Sequence, residues 1–237
     1  MRPKITCHMV TSLDGRLYPD RWCAADPDAL LDIIHRQYDL AAEALGGEGW
    51  IVGRKTMADY VGSREDVDLL PRPRPRDAFV GDRAGRNLAV GIDPAGRLGF
   101  ASDEVDGDHA VAMLGERVSE PALARLRELG VSYVFAGPDG RDLARGLDAL
   151  GEALGVRHLF LQGGGVINGA FLAAGLIDEV STLIAPAIDG LAGVPAIFEH
   201  AGASGSRPAA GRHLELLGSE VLEGGLVWLR HRVVQSS

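Results

Sequence analysis

Residues 157–169 read Arg157-His158-Leu159-Phe160-Leu161-Gln162-Gly163-Gly164-Gly165-Val166-Ile167-Asn168-Gly169. A short apolar run, three glycines and a second apolar segment predict a strand that passes straight into a helix, Val166 to Ala174. The first N–H groups of such a helix have no partner inside it, and glycine removes the Cβ atoms that would keep a ligand away. The turn therefore suits a phosphate. It does not meet the dinucleotide pattern G-x-G-x-x-G, because Asn168 stands where the third glycine belongs. A plain tight turn would read the same way, so the glycines alone do not decide.

A second turn of this kind decides more. Trp50-Ile51-Val52-Gly53 is an apolar run of buried-strand type, and Arg54 to Tyr60 continues as helix. Gly53, Arg54, Lys55 and Thr56 combine free N–H groups, a hydroxyl donor and two cations, which suits a phosphate-rich ligand. The spacing is not that of a P-loop. A basic helix start in solvent is the plainer reading of this turn alone. A dinucleotide carries several phosphates, which two such helix starts would share.

The rest of the chain repeats the alternation. Ile5 to Thr11 reads as a strand, followed by the turn Ser12-Leu13-Asp14-Gly15. Pro27 opens a helix with Leu30, Ile33, Ile34, Tyr38, Ala41 and Leu45 on one face, ended by Gly46-Gly47. Further strands are expected at Asn87–Ile92, His109–Leu114, Tyr133–Ala136 and Glu179–Ala185, with helices at 121–129 and 143–154. His213–Leu217 and Leu226–Val234 are two consecutive strands, after a Gly/Ser/Pro/Ala-rich stretch from Ala201 to Gly211. The pattern predicts an α/β fold: a mixed, mostly parallel sheet, helices on both faces and an antiparallel C-terminal edge. Residues 62–86, with prolines alternating from Pro71 to Arg76, are expected to be a solvated surface loop. No repeat or composition shift marks a boundary, so residues 1–237 are expected to form one domain.

Composition narrows the function. The chain has 237 residues, 46% hydrophobic and 24% charged, which excludes a disordered chain. No apolar run approaches the ~20 residues that span a bilayer, and no secretory h-region is expected at the N-terminus. The net charge of -9 argues against nucleic acid as a partner. Cys7 and Cys23 fit no metal motif, so no metal and a reducing, cytoplasmic setting are expected. G-x-S-x-G is absent, and His213-Leu214-Glu215 lacks the Pro-Cys-x-x-Cys that a zinc nucleobase deaminase requires. His8 and His35 are placed near the expected cleft, though a packed or surface role is the plainer reading of each. Asp14, Asp26 and Asp28 read equally as turn former and caps.

Taken in order, Thr11-Ser12-Leu13-Asp14-Gly15, Val52-Gly53-Arg54-Lys55-Thr56, Gly163 to Asn168, Phe171-Leu172, Leu176-Ile177-Asp178-Glu179 and Ala185-Pro186 carry a resemblance over nearly the whole chain. It is to the C-terminal reductase domain of the bifunctional riboflavin biosynthesis protein, in the dihydrofolate reductase superfamily. The resemblance implies a nine-stranded-type mixed sheet, NADPH as reductant and a homodimer. It implies reduction of the ribosylamino group of 5-amino-6-(5-phosphoribosylamino)uracil. Carried over, Gly53, Arg54, Lys55, Thr56, Gly163, Gly164, Gly165, Val166 and Asn168 would hold the cofactor. Thr11, Ser12, Asp14 and His35 would border the substrate, and Ser12 and Asp14 would be catalytic, with Asp14 or solvent giving the proton.

The chain also departs from the family. The deaminase half of the bifunctional protein has no counterpart here, and Gln162 stands where Glu is frequent. GRKT is closer to the folate reductases, yet Ala29 occupies the position of their first-helix carboxylate, one residue past Asp28. A dihydrofolate or pteridine reductase therefore stays open, as does a nucleotide-binding protein without turnover.

Overall fold

The structure is a computed structural model and describes all residues of the chain except Asp66, Ala201, Ser204 and Ser237. Asp66 belongs to the expected surface loop, and Ala201 and Ser204 to the Gly/Ser-rich stretch, so those parts of the two readings lie outside the described residues. In chain order the elements begin with β1 (Lys4–Thr11), α1 (Pro27–Leu45), β2 (Gly49–Gly53), α2 (Arg54–Val61) and β3 (Leu88–Ile92). Next come β4 (Glu104–Val105), β5 (Asp108–Leu114), α3 (Glu120–Glu128), β6 (Ser132–Phe135) and α4 (Leu143–Leu154). The chain continues with β7 (His158–Leu161), α5 (Gly165–Ala174), β8 (Glu179–Ile184), β9 (Arg212–Val221) and β10 (Val227–Gln235).

Two compact units are built from these elements. The first is Met1–Lys4 with Glu48–Leu159, the second Ile5–Gly47 with Phe160–Ser237. In the first, β2, β3, β5 and β6 pair in parallel, and β4 adds to β5 antiparallel. Alternation along β5 sorts the helices. Ala110, Ala112 and Leu114 share a core with Met57 of α2 and with Leu123 and Leu126 of α3. Met113 faces the other way, and a Cβ on Gly146 of α4 would run into its sulfur and into Ala136. Helices thus lie on both faces of this sheet, and the strands, buried on both sides, lose the polar alternation of a half-exposed strand.

In the second unit β1 pairs parallel with β8, and β8, β10 and β9 follow antiparallel. The expected mixed sheet with an antiparallel C-terminal edge is found here. Asp26 caps α1 by accepting the Ala29 N–H at 3.1 Å, Pro27 opens it and Gly46 closes it at φ 69°. Ile34 and Ala41 on its inner face pack on Leu183, Leu226 and Trp228.

Three details differ from the sequence reading. The two-residue β4, which no apolar run announces, brings the described strands to ten. β9 runs to Val221 rather than Leu217, carried past Gly218 by a bulge opposite Arg230 and His231. The described residues of 62–86 hold no helix or strand, yet the loop is pinned at several points. Ser63, Leu69 and Phe79 make isolated bridges to Leu98, Val118 and Tyr133. Arg74 N–H donates to the Glu116 carbonyl, and the half-buried Arg76 holds the Val118 carbonyl at 2.9 Å.

Candidate functional site

Strand β1 delivers the turn 11–16 at its C-terminal end, and the hydroxyls and carboxylate of that turn are all engaged. Thr11 Oγ1 donates to the Arg16 carbonyl at 3.1 Å. Ser12 Oγ, fully buried, donates to Asp14 Oδ1 at 2.7 Å and accepts the Arg16 N–H at 2.9 Å. Asp14 also accepts the N–H groups of Asp189 at 3.1 Å and Gly190 at 2.9 Å. The Ser12 hydroxyl, with these two backbone donors behind it, holds the Asp14 carboxyl down at about 2. Asp14 is therefore an anion at neutral pH with no proton to give. What its geometry does is fasten one loop to another.

The fastening continues on both sides. Cys23 N–H donates to the Ile188 carbonyl while its sulfur accepts the Ile188 N–H at 3.3 Å. Arg21 Nε grips Asp189 at 2.8 Å. Arg16 Nη1 donates to the Val194 carbonyl at 2.7 Å, and Leu17 N–H to the Pro195 carbonyl at 3.1 Å. Residues 194–199 in turn lie on the start of α5, where Glu199 N–H donates to the Gly165 carbonyl at 2.9 Å.

The glycine turn itself is shaped partly by this packing. Gly163 sits at φ 103°, a conformation that favours glycine, and its peptide with Gly164 is cis. A Cβ on Gly165 would strike the Ala196 carbonyl oxygen, and one on Gly169 the Glu199 carbonyl oxygen. Gly165 is thus required by a neighbouring stretch of the chain, a reason the sequence reading did not contain. Gly164 caps α5 with no side-chain bond to the first turn, and Val166 is exposed there. Asn168 Nδ2 donates to the Ile197 carbonyl at 2.9 Å, so that side of its amide holds the 194–199 segment. Its Oδ1 is buried and has no partner among the described residues.

His35 is exposed on α1, next to the buried Ile34. His8 is the buried histidine. It stacks on Tyr38 with ring centres 4.1 Å apart, Nδ1 lies 2.9 Å from Ser181 Oγ and Nε2 lies 3.2 Å from the Tyr38 carbonyl. That carbonyl can only accept, so Nε2 carries the proton. Trp228 Nε1 donates to Ser181 Oγ at 2.8 Å, which leaves the serine proton for Nδ1. Burial holds His8 neutral, with its pKa lowered to about 4. Its place is in the core under α1.

In the first unit, Gly53 ends β2 and caps α2 without a side-chain bond, leaving the helix start with Arg54, Lys55 and Thr56. The register sets Gly53 beside Ile92, so Arg54 and Asp93 leave adjacent strand ends. The sequence reading missed Asp93. It lies in the turn Asp93-Pro94-Ala95-Gly96, which looks like a loop signal and nothing more. Asp93 is buried; Oδ2 accepts the Leu98 N–H at 2.7 Å and Oδ1 has no partner among the described residues. Burial raises its pKa, against the pull of the nearby backbone N–H groups of Leu98, Arg97 and Gly96 and of the Arg54 charge. A small cavity beside it is lined by Arg64, Leu98, Phe100, Leu114 and Arg125. Of the arginines in loop 62–86, Arg76 is committed to the Val118 carbonyl and to Glu120.

A variant separates a clamp from an acid at position 14. Asp14→Asn should lower kcat by less than the roughly 100-fold that a general acid carries, leaving the pH–rate profile unchanged between pH 5 and 9. A loss beyond 100-fold together with a shifted limb would overturn the clamp assignment.

Comparison with known proteins follows the same lines. Over 85 residues the chain is 38% identical to the 2,5-diamino-6-ribosylamino-4(3H)-pyrimidinone 5′-phosphate reductase of Methanothermobacter thermautotrophicus. The match covers 35% of this chain and 38% of that protein, so only a minor part of the relative's length is spanned. A pyrimidine reductase-like protein of Corynebacterium diphtheriae superposes with a TM-score of 0.62 at 17% identity, over 99% of this chain and 93% of that one. RibD of Acinetobacter baumannii does so at 0.57 and 20% identity, over 98% of this chain and 58% of its own. These two share the fold. The model of the RibD C-terminal domain matches residues 92–228, more than half of the sequence. With the strand-to-helix glycine turn and the antiparallel C-terminal strands in place, the chain belongs to the RibD C-terminal domain family.

Proposed function

We propose that the whole chain is one reductase domain, an NADPH-dependent enzyme that acts on a phosphoribosylaminopyrimidine of riboflavin biosynthesis, 5-amino-6-(5-phosphoribosylamino)uracil. The observation that supports it most is the glycine turn at 163–165, whose following helix starts without a side-chain cap and with Val166 in the open. Phosphate oxygens fit such a start, since they take the N–H groups that the helix cannot use. Gly163, Gly164, Gly165, Val166 and Asn168 are assigned to the cofactor on this ground. Gly53, Arg54, Lys55 and Thr56 are assigned to it on the same ground in their own unit, where two cations favour a 2′-phosphate.

Bound NADPH supplies a hydride equivalent to C1′ of the opened ribosylamino group. The chain's own part is positioning. Thr11, Ser12 and Asp14 fix the turn 11–16, and Asp14 fixes loop 187–191 upon it. The proton for the neighbouring nitrogen comes from solvent, as the Asp14 carboxylate has none to deliver. His35, exposed on α1, would meet only a substrate that reaches that helix.

The substrate in the name of the Methanothermobacter thermautotrophicus relative favours a second reading, in which the pyrimidine still carries its 2-amino group and is reduced before deamination. NADPH oxidation followed at 340 nm, with the uracil, the diaminopyrimidinone and dihydrofolate side by side, tests both. Turnover of dihydrofolate alone would sink the riboflavin reading, and silence with all three would favour a binding protein without turnover. Arg54→Gln or Lys55→Gln should weaken NADPH binding at least about tenfold and leave NADH unchanged. Equal losses for both cofactors would remove the 2′-phosphate assignment. A cytoplasmic setting and a homodimer complete the proposal.

A further inference from the structure

Asp93 follows β3 directly, and its backbone is fastened on several sides. Its N–H donates to the Met113 carbonyl at 2.9 Å, and its carbonyl accepts the Gly96 N–H at 3.1 Å. The Gly115 N–H donates to the Pro94 carbonyl at 3.1 Å, and a Cβ on Gly96 would come within 3.2 Å of Val118. The residue is 1% exposed, so its carboxyl reaches water only if this turn comes undone. Oδ2 takes the Leu98 N–H at 2.7 Å, while Oδ1 is buried with no hydrogen-bond partner among the described residues. A buried carboxylate in that condition is costly unless a cation stands by.

The charged groups around it single out one cation. Arg54 heads α2 on the neighbouring strand end, and its charge reaches Asp93. Arg54 is half-buried, and no ion pair engages it among the described residues. Arg64 and Arg125 line the small cavity beside the carboxyl, but Arg64 is exposed and Arg125 donates to the Phe100 carbonyl at 2.7 Å. Arg97 in the same turn and Lys55 next to Arg54 are exposed. The carboxylate just past β5, that of Glu116, is held by Arg145 at 2.6 Å. Arg54 is therefore the cation on which the Asp93 charge leans.

We propose that Asp93 is the counter-charge of Arg54 and takes up a proton when a phosphate at the start of α2 claims that cation. This rests on the assignment of Gly53–Thr56 to the cofactor's 2′-phosphate. One guanidinium cannot neutralise a phosphate dianion and a buried carboxylate at once. The phosphate keeps water and the N–H groups of the helix start, whereas the carboxyl is locked in its turn with Oδ1 unsatisfied. Protonation removes the buried charge; the proton comes from the buffer, and only an O–H bond forms at the carboxyl. Burial already inclines Asp93 toward its acid form. Asp93 thus acts through Arg54, as a positioning residue that holds the guanidinium at the helix start and yields it to the ligand. Binding there is linked to proton uptake, so affinity falls as pH rises, by up to about tenfold per unit for each proton taken up.

Calorimetric titration of the purified chain with NADP⁺, in PIPES and in imidazole at the same neutral pH, counts the protons without any turnover. Asp93→Asn is the comparison, since asparagine keeps an oxygen for the Leu98 N–H and loses the charge. The ligand's own phosphate ionisation is common to the two proteins. Wild type should take up about half a proton or more per NADP⁺ beyond what Asp93→Asn does. With NAD⁺, which lacks the 2′-phosphate, the two should not differ. Should the variant fail to fold, ¹³C NMR of the wild-type carboxyl reads the same event, its signal moving toward the acid form as NADP⁺ is added. NADP⁺ binding with no change in protonation overturns the proposal and leaves the cofactor assignment standing. An equal difference with NAD⁺ overturns it too, because Asp93 would then answer to something other than the 2′-phosphate. No NADP⁺ binding at all overturns both together.

Discussion

Lowering the pH from 7 to 4 should cost the fold about 3 kcal/mol through His8 alone. The unfolded chain takes up the His8 proton near the ordinary 6.5, the folded chain only near about 4. Between those values the unfolded state binds more protons, so stability rises with pH across the window and is lost as pH falls through it. Below about 4 both states are protonated and the loss stops growing. The physical cause is the closed set of bonds around the ring. A proton on Nδ1 faces Ser181 Oγ, whose own hydrogen would have to turn away while Trp228 still donates to it. Burial of His109 acts in the same direction, and burial of Asp93 and Asp108 in the opposite one. Denaturant midpoints at pH 7, 5.5 and 4.5 for the wild type and His8→Gln isolate the residue. The variant should show a markedly flatter dependence; identical slopes would clear His8 of the effect.

Gly165→Ala is the second large change. The added methyl meets the Ala196 carbonyl oxygen, a backbone atom that no side-chain rotation can move aside. Either α5 shifts or residues 194–199 lift, and the second route breaks the Glu199 N–H bond to the Gly165 carbonyl. Overpacking of this kind costs about 1–3 kcal/mol. NADPH affinity should fall at least about tenfold with it, because the displaced atoms belong to the assigned helix start. Val166→Ala, at an exposed position of the same turn, should stay within about 0.5 kcal/mol of wild type. Calorimetry and NADPH titration read the two effects separately. A stable Gly165→Ala protein with full affinity would show that the turn has slack the packing does not suggest.

Local chemistry explains what was legible in the sequence. The bounds of α1 could be read because Asp26, Pro27 and Gly46 are each specified by the backbone of a helix end. The glycine turn could be read because only glycine tolerates it, though the sequence could not say that Ala196 needs Gly165 as much as a ligand does. Asp14 was legible as a turn residue of chemical interest, yet the atoms that define its role belong to Asp189 and Gly190, 175 and 176 positions away. His8 was noticed in the sequence, but the bond that fixes its role was hidden for the same reason, with Ser181 lying 173 positions from it. β9 was cut short because Gly218 looks like an end, and only its pairing with β10 shows that the strand bulges and continues.

The parallel pairing of Thr6–Thr11 with Glu179–Ile184 has a consequence for the life of the chain before it is folded. On the ribosome, β1 emerges well ahead of its sheet partner, since Thr6 pairs with Glu179, 173 residues further on. Ile5, Cys7 and Met9 meanwhile have no β8 beside them. Contacts closed over such distances are slow to form, and the waiting strand is open to other chains. Synthesis that stops before residue 179 should therefore release a product whose first strand is sticky, and yield in a host cell should respond to translation speed and holding chaperones more than to conditions that favour the finished fold.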